Sequence, residues 1–230
     1  MKVLMFGWEF PPHISGGLGT ACLGLTKAIL RQGVDIIFVV PRAYGDEDQS
    51  QMQLVGANTI RVKVNQYHFG ESVAKESNLQ YVTIGSNLIP YVSEEEYFDI
   101  INNRVTVDRQ FKTYAHADTC TIDLHGGYGG GLMGEVSSYA YIAEEIAKKF
   151  NFDVIHAHDW MTYDAGIAAK NVSGKPLVVH VHATEFDRSG MHVNQVVYDM
   201  ERRGMHAADK VLTVSNLTRN TVINHYASTP

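Results

Sequence analysis

Four histidines occur as two His-x-His pairs, each at the end of an apolar stretch of the chain. His156 and His158 share one face of a predicted strand, as do His180 and His182, because residues i and i+2 of a strand point the same way. The first pair is followed by Asp159, and His156, His158 and Asp159 could hold Zn²⁺ if a further ligand came from elsewhere. The alternative interpretation makes His156 and His180 hydrogen-bonded imidazoles of the core. His158 and His182 end their strands before polar loops, where ligands of α/β proteins bind.

A glycine-rich loop near the start of the chain is the second feature with chemical potential. The apolar run at 2–7 predicts a buried strand, and a helix is predicted from about Gly17 to Arg31. Gly16 and Gly17 carry no Cβ, so ligand oxygens can approach the backbone, and the start of the helix favours an anion. The alternative is a tight connection that needs glycine for its turn alone.

Composition narrows the class of protein. The chain has 230 residues, 45% of them hydrophobic, which is enough for a substantial core. The net charge of −6 comes without a basic stripe and argues against nucleic acid or an anionic membrane as the main partner. No run is long and apolar enough to predict a membrane span. Cys22 and Cys120 are the two cysteines, and we predict a cytoplasmic protein with reduced thiols and Cys22 in the core.

Strand and helix patterns alternate along the chain. Helical stripes are predicted at 17–31 and at 139–150, the first through Leu18, Ala21, Cys22, Leu25, Ala28 and Ile29. Several strand segments lack polar alternation, which is typical of a parallel sheet covered on both faces. We therefore predict an α/β fold with a doubly wound, Rossmann-like parallel sheet and helices on both faces, whose ligands bind beyond the carboxyl ends of the strands. The predicted strands are 2–7, 34–40, 59–67, 79–84, 153–157, 176–182 and 210–214.

The middle of the chain has a less regular pattern. Residues 41–58 are predicted as a polar loop, 59–92 as a β excursion, and 94–116 as a helical region with Ser93 as N-cap. Six of the nine residues from Gly126 to Gly134 are glycine, which indicates a mobile lid over a ligand or a flexible surface loop. Neither a repeat nor a low-complexity linker divides the chain, so one domain is predicted over 1–230.

Four segments, in this order, resemble the N-terminal domain of GT-B retaining glycosyltransferases. The resemblance is to glycogen and starch synthase-like enzymes and to the broader family that includes sucrose-phosphate synthases. It covers nearly the whole chain, and four motifs in order are specific where one alone is weak. The segments are Gly16-Gly-Leu18, His156-Ala-His-Asp-Trp160, His182-Ala-Thr-Glu-Phe-Asp187 and Ala208-Asp-Lys-Val-Leu-Thr-Val-Ser215.

The resemblance implies roles for individual residues. Gly16 and Gly17 match the glycines whose amides approach the donor diphosphate, and His182 matches the catalytic histidine that contacts the transferred sugar. Asp159 and Trp160 match residues that shape the cleft. The predicted substrate cleft contains Glu9, His158, Asp159, Glu185 and Asp187.

Two positions depart from the pattern of glycogen and starch synthases. Ile14 stands where those enzymes have lysine before the glycine pair, and Met161 stands where they have histidine after His-Asp-Trp. Both departures favour the broader family over strict glycogen synthase activity.

The reaction implied by the resemblance is transfer of a hexose, glucose first, from an ADP- or UDP-sugar to a carbohydrate acceptor such as an α-glucan. In the retaining mechanism of this family the leaving phosphate takes the acceptor proton on the same face, so the scheme requires no protein nucleophile, no cofactor and no metal. The family binds the nucleotide with a glutamate pair in a second domain, and this sequence has no match to that pair. We therefore expect this chain to be the acceptor-side half, inactive without a C-terminal domain of the same enzyme. Two alternatives remain at this point: a metal-dependent hydrolase built on the His-x-His pairs and a noncatalytic carbohydrate-binding domain.

Overall fold

The computed structural model describes residues 1–50, 52–63, 75–76, 79–80, 119–128 and 131–230. Its main sheet has the strand order β10-β9-β8-β1-β2-β3, and every neighbouring pair in it is parallel. A separate antiparallel pair joins β4 to β7, and another joins β5 to β6. The strands are β1 (Lys2–Phe6), β2 (Asp35–Val40), β3 (Gln53–Gly56), β4 (Arg61–Lys63), β5 (Lys75–Glu76), β6 (Leu79–Gln80), β7 (Thr119–Thr121), β8 (Val154–His158), β9 (Leu177–Val181) and β10 (Lys210–Thr213).

Helices connect the parallel strands, as the alternating pattern predicts. A short 3₁₀ turn, Ala57–Thr59, follows β3 directly. The α-helices among the described residues are α1 (Gly17–Arg31), α2 (Leu132–Lys149), α3 (Trp160–Ser173), α4 (Glu185–Ser189), α5 (Gln195–Ala207) and α6 (Asn216–Tyr226).

The core lies on both faces of the sheet, because alternate residues of each strand point to opposite sides. Leu4 and Phe6 of β1 belong to one hydrophobic cluster, together with Tyr139 of α2. Val3 and Met5 belong to the other cluster, which includes Cys22 of α1. Helices therefore cover both faces, and the predicted doubly wound, Rossmann-like fold is confirmed.

The prediction of 41–58 as a continuous loop is wrong, because it contains β3. This strand is only four residues long and pairs with β2 at the edge of the sheet. The predicted strand at 59–67 includes β4, which pairs with β7 outside the main sheet. Thr59 ends the 3₁₀ turn instead of starting a strand. Residues 64–67, most of 79–84 and the predicted helical region at 94–116 lie outside the described residues.

Two helix predictions also need correction. On α1, Ala21 and Ala28 are exposed, while Gly19 and Thr26 are buried, so the buried stripe is rotated from the predicted one. The Thr26 hydroxyl is satisfied within the helix by the carbonyl of Cys22, at 2.9 Å, which lets a polar side chain occupy the buried face. The glycine-rich segment ends inside α2, which begins at Leu132 after Gly131 in the left-handed region at φ 93°.

None of the helices in the described residues is sufficiently long and apolar to cross a membrane. The cytoplasmic location stays a prediction. The same is true of the single-domain organisation over 1–230 and of the separate C-terminal domain.

Candidate functional site

The glycine loop after β1 is held by the buried carboxylate of Glu9. Its two oxygens accept the N–H of Ser15, at 2.7 Å, and the N–H of Gly19, at 3.0 Å. Gly19 is needed for packing, because a Cβ at this position would clash with the side chain of Ile14. Glu9 therefore fixes the loop against the start of α1, a role that the sequence did not predict beyond its placement in the cleft.

Gly16 and Gly17 have no comparable packing constraint. A Cβ on either residue would meet nothing within 4 Å, and both residues are exposed. Gly16 is extended, with φ −160°, and has no side chain that could cap α1. The Glu9 carboxylate takes the N–H of Gly19 in the first turn, and no side-chain acceptor is seen for the N–H groups of Gly17 and Leu18 among the described residues. The first N–H groups of a helix lack intrahelical acceptors, so this helix start can bind an anion.

The two His-x-His pairs meet at the centre of the sheet. His158 of β8 is the register partner of His180 of β9. Ring centroids lie 4.2 Å apart for His156 and His158, 4.4 Å apart for His180 and His182, and 5.4 Å apart for His158 and His180. The prediction that each pair points together is confirmed. That the pairs merge into one four-histidine cluster was missed, although both motifs stand at the carboxyl ends of what prove to be adjacent parallel strands, offset by two residues in register.

Burial keeps all four imidazoles neutral at pH 7. Desolvation lowers the pKa of His156 to about 3 and the pKa values of His180 and His182 to about 4. The pKa of His158 is also well below its ordinary value, mainly through burial and then through its histidine neighbours. Neutral imidazoles each have one ring nitrogen that donates and one that accepts.

His158 forms a hydrogen bond with His182. Its Nδ1 lies 3.0 Å from Nε2 of His182, and its side chain is fully buried. His182 is half-buried just after the end of β9, and the hydrogen bond leaves its Nδ1 for a ligand. His158 therefore cannot contact a substrate directly in this conformation, and it positions His182 instead.

Three buried ring nitrogens of the cluster have no hydrogen-bond partner among the described residues: Nε2 of His156, Nε2 of His158 and Nδ1 of His180. His156 is buried, as expected for a core residue. The prediction of hydrogen-bonded core imidazoles is nevertheless wrong for these nitrogens of His156 and His180, because neither has a polar partner among the described residues.

Asp159 connects the cluster to α3. Its carboxylate accepts the N–H of Trp160 at 2.7 Å and lies 4.0 Å from the guanidinium of Arg188. Its own N–H donates to the carbonyl of His180 at 3.0 Å. The backbone has φ 65° and ψ 162°, and burial raises the pKa of the carboxyl group. The predicted zinc group of His156, His158 and Asp159 is not formed, because the cluster is completed by His180 instead.

Glu185 and Asp187, which were predicted in the cleft, make local contacts in α4. Asp187 is exposed and accepts both the N–H and the hydroxyl of Thr184, at 2.7 and 2.9 Å. The buried carboxylate of Glu185 accepts from Arg188 at 3.0 Å and from the N–H of Asn194 at 3.1 Å. Their contact with substrate stays a prediction.

A buried ionic group lies behind these residues. Glu201 of α5 pairs with Arg188 and accepts a short hydrogen bond from the hydroxyl of Tyr226. The N–H of Glu185 also donates to Glu201, at 3.0 Å. Burial nevertheless raises the pKa of Glu201 to about 7.

Cys22 of α1 brings the glycine loop and the histidines together. Its sulfur and one ring nitrogen each of His158 and His182 lie within 4.8 Å of one another. Burial raises the pKa of the thiol to about 12, so Cys22 is a protonated core residue, as predicted. The predicted phosphate loop and the predicted catalytic histidine therefore lie on adjacent elements.

A cavity of about 220 Å³ opens beside the glycine loop, beyond the carboxyl ends of β1 and β2. The His13 ring stacks on Tyr44 with centroids 3.9 Å apart, and the guanidinium of Arg42 lies 5.3 Å from the Tyr44 ring. A larger cavity of about 500 Å³ lies at the amino ends of the strands, away from the histidines and the glycine loop. The lining of the first cavity, beside the glycine loop, includes Trp8, Glu9, His13, Arg42, Tyr44 and His125.

Comparisons with known proteins agree on one family. The family model described as the starch synthase catalytic domain matches residues 2–229. An uncharacterized glycosyltransferase, MJ1607 of Methanocaldococcus jannaschii, is 25% identical over 96% of this chain and 42% of its own length. The glycogen synthase of Mycobacterium tuberculosis is 24% identical over 92% of this chain and 40% of its own. The chain thus spans less than half the length of these relatives.

A solved structure supports the fold. The sucrose-phosphate synthase of Thermosynechococcus elongatus superposes with a TM-score of 0.56 at 10% sequence identity. The match covers 98% of this chain and 45% of that chain. At this identity the likeness concerns the fold alone, which is the α/β arrangement described above.

Proposed function

Because this chain belongs to the starch synthase catalytic domain family, whose GT-B glycosyltransferases it resembles in fold, we propose that it is the acceptor-side domain of a retaining glycosyltransferase. The proposed reaction transfers a hexose, glucose first, from an ADP- or UDP-sugar to a carbohydrate acceptor of the α-glucan type. The observation that carries this proposal is the exposed Gly16-Gly17 pair. Packing does not require glycine at either position, because a Cβ there would meet nothing within 4 Å. A hydrolase or a noncatalytic binding domain is not favoured by the family match.

The glycine loop supports the proposal at the donor diphosphate. Departure of a nucleoside diphosphate from the anomeric carbon builds negative charge on the leaving phosphate. Oxygens of that phosphate can reach the amides at Gly16 and Gly17, because no side chain covers them. Glu9 already accepts from Ser15 and Gly19, so it holds the loop open without using the amides of the glycine pair.

His182 supports the proposal at the transferred sugar. It follows β9 at the carboxyl edge of the sheet, is oriented by His158, and is neutral at pH 7. A neutral imidazole can bind a sugar hydroxyl through its remaining nitrogen without placing a positive charge beside the oxocarbenium-like carbon. We assign His182 to positioning the sugar in the transition state.

The carboxylates around His182 fit a mechanism without a protein nucleophile. The Asp159 carboxylate is held by Trp160 and lies beside Arg188, and the Glu185 carboxylate is held by Arg188 and Asn194. Neither is free to attack an anomeric carbon without breaking contacts in the core. Attack by the acceptor on the face that the phosphate leaves therefore suits this site.

The cavity beyond β1 and β2 is the proposed acceptor site. Aromatic and polar side chains alternate around it, and the indole of Trp8 at its base has an Nε1 without a partner among the described residues. Aromatic faces and hydrogen-bonding groups together suit a sugar ring. The nucleotide would be bound mainly by a second domain of the same enzyme, so the choice between ADP and UDP lies outside this chain.

The test is the rate of glucose transfer by the full-length protein from ADP-glucose and UDP-glucose to a maltooligosaccharide. His182→Ala is expected to lower kcat by about a hundredfold, the scale of a lost transition-state contact, with donor KM changed by less than about threefold. His192→Ala, at an exposed position between α4 and α5, is the control and should keep its activity. An active His182→Ala enzyme would refute the role of His182, and submicromolar binding of either donor to residues 1–230 alone would refute the half-enzyme proposal.

A further inference from the structure

The histidine cluster contains buried ring nitrogens without hydrogen-bond partners among the described residues, and the proposed transfer reaction does not explain them. A buried polar atom without a partner destabilises the folded state. Here three such atoms, on His156, His158 and His180, belong to neighbouring positions of β8 and β9. His156 is 7% exposed and His158 is fully buried, so bulk water does not satisfy them.

The three rings are close enough to share one ligand. One nitrogen of each residue lies within 4.8 Å of a nitrogen of both others. Centroid distances are 4.2 Å between His156 and His158 and 5.5 Å between His156 and His180. In the tautomers that place a lone pair on each unpartnered nitrogen, a single cation satisfies all three nitrogens at once.

We propose that His156, His158 and His180 form a binding site for one divalent transition-metal ion, with Zn²⁺ as the preferred metal. Three histidines with one exchangeable position are an established zinc ligand set, with Zn–N distances of about 2.0–2.1 Å. Tetrahedral nitrogens then lie about 3.4 Å apart, whereas the present nitrogens lie within 4.8 Å of one another, so each pair must approach by at most about 1.4 Å.

The surroundings of His158 fit this role. A metal-bound histidine usually hydrogen-bonds through its other ring nitrogen, which fixes the ring. The Nδ1 of His158 lies 3.0 Å from His182, which leaves the unpartnered Nε2 for the metal. A second group, Cys22, His158 and His182, is also close, but there the two imidazoles already satisfy each other.

The donor set predicts which ions bind. Imidazole nitrogens suit Zn²⁺, Co²⁺, Ni²⁺ and Cu²⁺, whereas Mg²⁺ and Ca²⁺ prefer oxygen ligands. No carboxylate belongs to the three-histidine group, so Mg²⁺ is a suitable negative control. The sugar-transfer scheme itself uses no metal, and the two sites share only His158, which also positions His182.

The experiment is a titration of the chelator-treated, dialysed protein with Zn²⁺ by calorimetry and with Co²⁺ by visible absorption. One equivalent of Zn²⁺ should bind, and Co²⁺ should give the intense visible bands of a four-coordinate site, whereas Mg²⁺ should give neither signal. His156→Gln and His180→Gln should each weaken Zn²⁺ binding at least about tenfold, as loss of one of three ligands predicts. Neither residue is assigned to sugar transfer.

Two controls separate this site from other histidines. His192→Gln changes an exposed histidine, and His13→Gln removes one ligand from the group of His13, Asp46 and Glu47, which could also attract a cation. Both should bind Zn²⁺ as the unmodified protein does. Absence of stoichiometric binding to the unmodified protein, or its loss in His13→Gln, would overturn the proposal even if a cluster variant failed to fold.

Discussion

At the scale of single residues, the glycines of the first loop divide by function. Gly19 is required by packing, because a Cβ at this position would clash with Cγ2 of Ile14. Gly16 and Gly17 have open space where a Cβ would be, and their φ angles do not require glycine. In the proposed function these glycines leave the backbone open to the donor diphosphate at the start of α1.

Gly17→Val tests this explanation in the full-length protein. The branched side chain would stand where the diphosphate approaches, so we expect the transfer rate to fall at least about tenfold, or about 1.4 kcal/mol of transition-state stabilisation. Gly24→Val is the matched control, because Gly24 lies in the same helix and also has nothing within 4 Å of its Cβ position. Rates and thermal melting of both variants are compared. Equal rates for the two variants would show that the glycine pair is needed only for the turn between β1 and α1.

Residue-scale prediction from the sequence was reliable where a geometric rule applies. The i and i+2 rule of strands correctly paired His156 with His158 and His180 with His182. The contacts of Glu9 had no such rule, since its carboxylate binds backbone N–H groups six and ten residues away. Contacts of this kind depend on the path of a loop, which has no periodicity.

At the scale of elements, α3 is held close to its neighbours by small residues. A Cβ on Gly166 would lie 2.8 Å from Leu177 and 3.0 Å from Ala157, so this helix lies directly against β8 and β9. On α5, a Cβ at Gly204 would clash with the ring of Tyr163. The Tyr163 hydroxyl in turn donates to the carbonyl of His180 at 3.3 Å.

Gly204→Ala is therefore expected to lower the free energy of unfolding by about 1–3 kcal/mol, the usual cost of overpacking a core. Tyr163 is almost fully buried and has no free direction in which to move. Gly24→Ala provides the opposite case and should stabilise α1 by about 0.5–1 kcal/mol, because its Cβ meets open space. Urea unfolding of both variants measures the difference. A neutral Gly204→Ala would mean that α3 and α5 can separate without loss.

The parallel strands with continuous apolar runs were predicted at nearly their observed bounds, since burial on both faces leaves a clear signal. β3 was missed because four residues between polar neighbours are too few to show a period. On α1, the hydroxyl of Thr26 donates to a carbonyl of its own helix. The residue can therefore be buried although it is polar, and a hydrophobic pattern does not detect it.

At the scale of the whole molecule, buried titratable groups give two opposite dependences of stability on pH. The imidazoles of the cluster have lowered pKa values, so their contribution to stability is present above about pH 6.5 and is lost as the pH falls. Glu201 has a pKa raised by burial from 4.5 to about 7. Its contribution is present below its ordinary pKa and is lost as the pH rises through about 7.

Comparison with Glu201→Gln isolates the second effect, because the imidazole contribution is common to both proteins. The stability of the unmodified protein relative to Glu201→Gln should decrease by about 2 kcal/mol between pH 5 and pH 8. Tyr226→Phe keeps the carboxyl group and should therefore keep the pH dependence. Urea unfolding at several pH values gives the three curves. A pH-independent difference would mean that Arg188 holds Glu201 ionised throughout this range.

The fold class itself was predictable, because alternation of buried strands and amphipathic helices leaves few topologies open. The meeting of the two histidine pairs needed one further fact, namely that β8 and β9 are neighbours in register. Strand order follows from the packing of the whole chain, which a local pattern does not contain.

The backbone of Asp159 has a mechanical consequence. Its φ and ψ angles fall in a region that is almost restricted to glycine and that costs about 1–3 kcal/mol for other residues. Relaxing this torsion would break the bonds to Trp160 and to the His180 carbonyl together. The residue therefore acts as a torsional stop between α3 and the two histidine strands. We therefore expect a displacement of α3 to reach β8 and β9 through these two bonds.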